Sequence, residues 1–122
     1  MAVKSYSVLI NNKINEFNKV INVDPDKSIS IRAFLIGSIS QGVSKISDAL
    51  LSEDVFSTIN CLRKLNCKII KKSKNEYEVF GKGLGSYYAK KNTLLNLGNS
   101  GTGLRLISSI ISTTPDLEVN LT

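Results

Sequence analysis

The sequence has no histidine, and its two cysteines, Cys61 and Cys67, stand six residues apart without a CxxC pair. A metal shell of thiolates and imidazoles therefore has too few ligands, and no metal is expected. The cysteines read instead as small, buried, apolar side chains. No run approaches the roughly 18 to 20 apolar residues that a membrane-spanning helix needs. The opening MAVKSYSVLINNK also lacks the long apolar core of a secretory signal. A reducing, cytoplasmic compartment without a membrane partner is the expectation. Zinc-finger spacing, basic-zipper heptads and an aromatic RNA-binding signature are absent too. The net charge of +6 favours anionic partners in general, but its densest runs are only Lys71-Lys72-Ser73-Lys74 and Lys90-Lys91. Such short runs read as solvated loops or strand ends, so no nucleic-acid partner is expected. The glycine-rich stretch Gly81-Lys82-Gly83-Leu84-Gly85 has neither dinucleotide-binding spacing nor a following GK[ST], and reads as the exit loop of a hairpin.

What remains is the composition of a folded domain. With 42% apolar and 21% charged residues over 122 positions, the chain can build one modest core and is not disordered as a whole. Tyr6 to Ile10 and Val20 to Val23 read as short strands joined by an Asn-rich connection. After Asp24-Pro25, apolar positions recur through Ser28 to Ser40 as in a well-buried helix. Gly42 breaks that pattern, Val43 to Ile46 reads as a strand, and Ser52-Glu53-Asp54 opens a second helix with a capping oxygen and two acids in its first turn. Val55, Ile59, Leu62 and Leu65 carry its stripe to an end near Asn66. Cys67 to Lys71 and Glu76 to Phe80 form a strand pair around the turn Ser73-Lys74-Asn75. Leu94 to Leu97 then reads as a strand, Thr102 to Ser112 as a helix and Leu117 to Leu121 as a last strand. This order predicts an α/β fold with helices covering one face of a mixed sheet.

Two strand-to-helix turns carry the chemistry. In DKSISIR (Asp26 to Arg32) and LGNSGTGLR (Leu97 to Arg105), small polar residues or glycines leave the helix-start N–H groups open to a ligand. Those donors, with the helix dipole, suit phosphate or carboxylate. The first turn adds Lys27, Ser28 and Arg32, the arginine lying one helical turn past the serine and so on the same face. An ammonium acts as a compact point charge, whereas a guanidinium grasps an oxyanion with two parallel hydrogen bonds. The second turn offers Asn99, Ser100, Gly101 and Thr102, with Arg105 one turn inside. Each feature has a plainer alternative: Ser28 and Ser100 as helix caps, Gly101 as relief of crowding, Arg105 as the partner of a surface acid.

Three separated blocks, DKSISIRAFLIGSIS, LLSEDVFSTINCLRKLNCKI and LNLGNSGTGLRL, occur in the order and spacing of the amino-terminal part of the EPSP synthase (3-phosphoshikimate 1-carboxyvinyltransferase) family, which the chain resembles over about residues 18 to 112. The related UDP-N-acetylglucosamine enolpyruvyl transferases lack the Lys-Ser-x-Ser-x-Arg arrangement. The family often has histidine where this chain has Ile31.

The resemblance implies a βαβαββ unit over about residues 18 to 80 and the opening of a second such unit. In the family, two domains of three units each enclose the substrates. It further implies that residues 1 to 17 pair with a carboxy-terminal domain and that residues 18 to 122 form part of a substrate-binding domain. Lys27 would lie between shikimate 3-phosphate and phosphoenolpyruvate, Ser28 and Arg32 would hold shikimate 3-phosphate, and Asn99 and Gly101 would line the phosphoenolpyruvate side. The family's general acid and base belong to its carboxy-terminal half, so this chain is expected to hold no catalytic residue, to need no cofactor and to be inactive in isolation. Glu53 and Asp54 are read as helix-start charges. The alternative expectation is a free-standing, non-catalytic anion-binding module.

Overall fold

The computed structural model describes residues 7–11, 16 and 18–122. The elements, in order, are α1 (Lys27–Ile39), β1 (Gln41–Ile46), α2 (Glu53–Lys64), β2 (Lys68–Lys71), β3 (Tyr77–Lys82), β4 (Thr93–Leu95), α3 (Gly101–Ile111) and β5 (Val119–Leu121). The fold is α/β, as the sequence pattern requires.

Helix α1 begins where Asp26 accepts a hydrogen bond from the Ile29 N–H at 2.8 Å. Its Ile31, Phe34 and Leu35 are buried, and Phe34 meets Tyr77 of β3 edge-on with ring centroids 5.3 Å apart. Helix α2 turns Val55, Ile59 and Leu62 inward, with Glu53 and Asp54 in its first turn and Arg63 and Lys64 in its last, so charges complement the helix dipole at both ends. The helix stops at Asn66, whose φ of 64° is left-handed. There the Cys67 N–H reaches Leu62 O and the Asn66 N–H reaches Arg63 O, both at 3.0 Å, the paired closure that uses up orphan carbonyls.

Three antiparallel strands form one sheet in the order β1-β3-β2, with Val43 opposite Phe80 and Ile69 opposite Val79. Its inward side chains Ile69, Tyr77 and Val79 join the helices in the core. Strands β4 and β5 form a separate parallel pair, connected through α3. Leu95, Leu97 and Ile107 of this second unit reach the same core, and Lys64 of α2 donates to Leu94 O at 2.8 Å.

Where α1 ends, it lies directly on β3. A Cβ on Gly81 would stand 2.2 Å from Ser40 O and 2.3 Å from Gly37 O, so only glycine permits this contact. The loop after β3 folds back over the same region. The Tyr88 N–H donates to Leu65 O, and buried Tyr87 hydrogen-bonds through its hydroxyl to Ser38. Burial pushes the Tyr87 phenol up to about 12, partly opposed by the Ser38 hydrogen bond.

The structure departs from the sequence pattern in four places. No strand forms at residues 7–10 or 20–23, where Val8, Leu9, Ile10, Val20, Ile21 and Val23 are exposed; Tyr6 lies outside the described residues. A strand needs a neighbour for its N–H and C=O groups, and neither sheet supplies one to these segments. The expected mixed sheet is two sheets, one wholly antiparallel and one wholly parallel. Ser52 stands at the N-cap of α2, but its hydroxyl does not make the cap hydrogen bond. Strand β4 stops at Leu95 rather than Leu97, because the chain is already turning toward α3.

Two outcomes follow. Gly81→Ala should destabilise the fold by more than about 3 kcal/mol, as overpacking against rigid backbone does, measured by urea unfolding. Tyr87 keeps its proton in the native state after the unfolded chain has lost it, so it makes stability fall as pH rises from about 10 to about 12. Tyr87→Phe should abolish that component of the alkaline decline and remove the last-titrating phenolate from the ultraviolet spectrum.

Candidate anion-binding site

The starts of the three helices gather at one end of the molecule. Lys27, the first residue of α1, places its Nζ 2.8 Å from Oδ2 of Asp54, the second residue of α2. The start of α3 lies along the first turns of α2: a Cβ on Gly103 would be 3.3 Å from Thr58 Oγ1, and one on Gly98 would be 3.6 Å from Ser57 Oγ. Three helix-dipole positive ends are thereby brought together.

At the first turn, Asp26 performs the capping. Ser28, inside the helix and half-buried, is left with a hydroxyl that the helix end does not need. The N–H groups of Lys27 and Ser28 have no intrahelical acceptor, as the geometry of a helix start dictates. Arg32 folds back along the helix, its Nη1 donating to Ser28 O at 3.1 Å, and remains exposed. Lys27, Ser28 and Arg32 therefore share the start of α1, as their spacing requires. The Lys27 amine is held above its ordinary range, first by its hydrogen bond to Asp54 and then by the charge of Asp54, with burial opposing and the charge of Asp26 adding least. At neutral pH it is an ammonium.

The second turn divides its labour differently. Ser100 is buried and is the cap of α3, accepting from the Gly103 N–H at 3.1 Å, so the plain reading of this serine holds. The two glycines that follow are not equivalent. At Gly103 a Cβ would come within 2.8 Å of Ser100 Oγ, whereas at Gly101 it would meet nothing within 4 Å. Crowding thus accounts for Gly103 and not for Gly101, which lies exposed beside exposed Asn99. No hydrogen bond or ion pair joins these two residues to Lys27, Ser28 or Arg32 among the described residues. Arg105 is exposed one turn further on, with no acidic partner among the described residues.

Sequence reasoning missed the pairing of Asp54. Its place in the first turn of α2 was legible, but its contact with Lys27 depends on how α2 lies against α1, which local spacing does not encode. A groove on the flank of α1 is lined by Asp24, Asp26 and Asp48 around Ile29, Ala33 and Ile46. None of the five expected site residues lines it, and its carboxylates would repel an anion. No cluster of histidine, cysteine or carboxylate side chains able to hold a metal occurs among the described residues.

Residues 11–122 match the family model described as EPSP synthase (3-phosphoshikimate 1-carboxyvinyltransferase). The chain is 48% identical over 93 residues to the 3-phosphoshikimate 1-carboxyvinyltransferase of Thermoanaerobacter sp. (strain X514), covering 76% of this chain and 21% of that protein. Over 98 residues it is 45% identical to the Bacillus cytotoxicus protein of the same name, covering 80% of this chain and 23% of the relative. Among solved structures, an EPSP synthase from Acinetobacter baumannii superposes with a TM-score of 0.72 at 28% identity, over 83% of this chain and 23% of that one. The chain therefore spans about a quarter or less of the length of the relatives it matches.

The two glycines provide a test of the geometry. Gly103→Ala should cost about 1 to 2 kcal/mol through the disturbed Ser100 cap, whereas Gly101→Ala should leave the unfolding midpoint within about 0.5 kcal/mol of the parent, both by urea titration.

Proposed function

The chain belongs to the EPSP synthase family, and from that premise we propose that it is the amino-terminal part of a 3-phosphoshikimate 1-carboxyvinyltransferase. Together with the remainder of that enzyme it would transfer the enolpyruvyl group of phosphoenolpyruvate to the 5-hydroxyl of shikimate 3-phosphate, with release of phosphate. The hydroxyl oxygen adds to the central carbon of phosphoenolpyruvate, and the tetrahedral intermediate then loses inorganic phosphate. Two crowded anions must be neutralised and aligned for that addition, and protons must move to and from carbon and oxygen.

The observation that carries this reading is the start of α1. With Asp26 taking the cap, Lys27, Ser28 and Arg32 are left to present an ammonium, a hydroxyl and a guanidinium at one helix end. Ser28 and Arg32 would hold shikimate 3-phosphate, and Lys27 would stand between the two substrates. Asn99 and open-faced Gly101 would form the wall on the phosphoenolpyruvate side, where no side chain at Gly101 would hold an anion away from the helix start. None of these groups is suited to shuttle the required protons at neutral pH. Acid and base catalysis would come from the remainder of the enzyme, and this chain contributes binding and charge.

The exposed face of α1 favours a part of a larger enzyme over a free-standing anion-binding module. Ile29 and Ile36 are 69% and 60% exposed, with Ala33 between them on the same face. An apolar stripe of this kind is ordinarily covered by further protein. In the proposed arrangement residues 18 to 122 belong to one substrate-binding domain, and residues 1 to 17 pair with the carboxy-terminal one. Among the described residues no helix is long and apolar enough to cross a membrane. The buried, unpaired Cys61 and Cys67 suit a reducing cytoplasm.

In calorimetry with shikimate 3-phosphate, Lys27→Ala and Arg32→Ala should each weaken binding by about 10- to 100-fold, the worth of a charge-assisted contact. The unaccompanied chain should show no carboxyvinyl transfer in a phosphate-release assay with both substrates. Lys27-independent binding, or turnover by the chain alone, would refute the assignment.

A further inference from the structure

We propose that Asp54 is a positioning residue for Lys27, fixing the ammonium at the meeting point of α1 and α2 so that two of its three N–H donors face the substrates. This rests on the proposed role of Lys27 and goes beyond it, since Asp54 touches no substrate in that scheme. Three observations support it. The Lys27 Nζ to Asp54 Oδ2 distance of 2.8 Å is that of a full charge-assisted hydrogen bond. The pair is unequal in exposure, the lysine side chain being 49% accessible and the aspartate side chain only 20%, so the carboxylate is the anchored member and the ammonium the presented one. Finally, Glu53 lies beside Asp54 in the same first turn and serves the helix dipole as well, so the dipole alone does not account for an acid at position 54.

The donor count gives the arrangement its use. An ammonium carries three hydrogens and no acceptor. One directed at Asp54 leaves two, one for each of two anions on either side. Without Asp54 the four-carbon stem would sample its full range of rotamers, and ordering it would weaken binding. Electrostatics alone predicts the opposite sign: a carboxylate close to an anion site repels its ligands, so its removal would strengthen binding if charge were all that mattered.

That difference in sign makes the test. Asp54→Asn should weaken shikimate 3-phosphate binding by roughly tenfold in calorimetry, about 1.4 kcal/mol, and should cause no further loss in a Lys27→Ala background, since the two act as one unit. A structural role at the start of α2 would instead cost the same in both backgrounds. Glu53→Gln should change neither measurement. A readout that needs no substrate accompanies these: competitive acylation of Lys27, followed by peptide mass spectrometry, should accelerate about two- to fivefold in Asp54→Asn as the amine loses its partner. Tighter binding in Asp54→Asn, equal losses in the two backgrounds, or an unchanged Lys27 acylation rate would overturn the proposal. Faster acylation in a chain that does not bind shikimate 3-phosphate would uphold the positioning contact and overturn the substrate assignment on which its use depends.

Discussion

The contact on which the arrangement depends is made by backbone. The carbonyl oxygens at the end of α1 rest on Gly81 of β3 at separations that leave no room for a side chain. The Gly83 N–H then takes Ser40 O as its acceptor at 3.1 Å, so the close approach is also a satisfied one. A rigid helix fixed at its far end has few ways to place its near end. The direction in which Lys27 leaves α1 is thus set at the other end of the helix, by a glycine in a strand. Tyr87 and Ser38 add a second fastening at the same end of α1.

The two anion-directed turns reach similar surfaces by different means. In the first, an aspartate caps the helix and its serine is free for a ligand; in the second, the serine is the cap and the open position is a glycine. The first turn therefore offers side chains, and the second offers bare backbone. Both lie at the positive end of a helix, and the first adds the ammonium of Lys27 and the guanidinium of Arg32. Asp54 is joined to the first turn by its contact with Lys27 although it comes from the next helix.

Much of this could be read from residue order. Helix α1 was marked by its apolar recurrence after Asp24-Pro25, and α2 by its stripe and its stop at Asn66; both signals are local and both survive in the fold. That Ser28 and Arg32 share a face at the start of α1 was also legible, because a spacing of about one helical turn needs no tertiary knowledge. What could not be read depended on neighbours. Val20 to Val23 has strand composition, but a strand exists only when another offers it hydrogen bonds. Whether Asp26 or Ser28 caps α1 was settled by backbone geometry at Asp26, and the Lys27 to Asp54 pairing by the packing of one helix on another. The two glycines of Gly101-Thr102-Gly103 look alike in sequence and differ only in what stands next to them.

In the three-stranded sheet β3 is central, and among the described residues β1 and β2 are each paired on one side alone. On those outer strands stand exposed Lys45, Lys68 and Lys71, with the Lys68 ammonium 4.7 Å from the centre of the Phe80 ring. Charges so placed meet like charges whenever two copies approach edge to edge, and they interrupt the pairing that unprotected strands invite. Part of the basic excess is thereby accounted for without any ligand. It keeps the chain from adding itself to its own sheet.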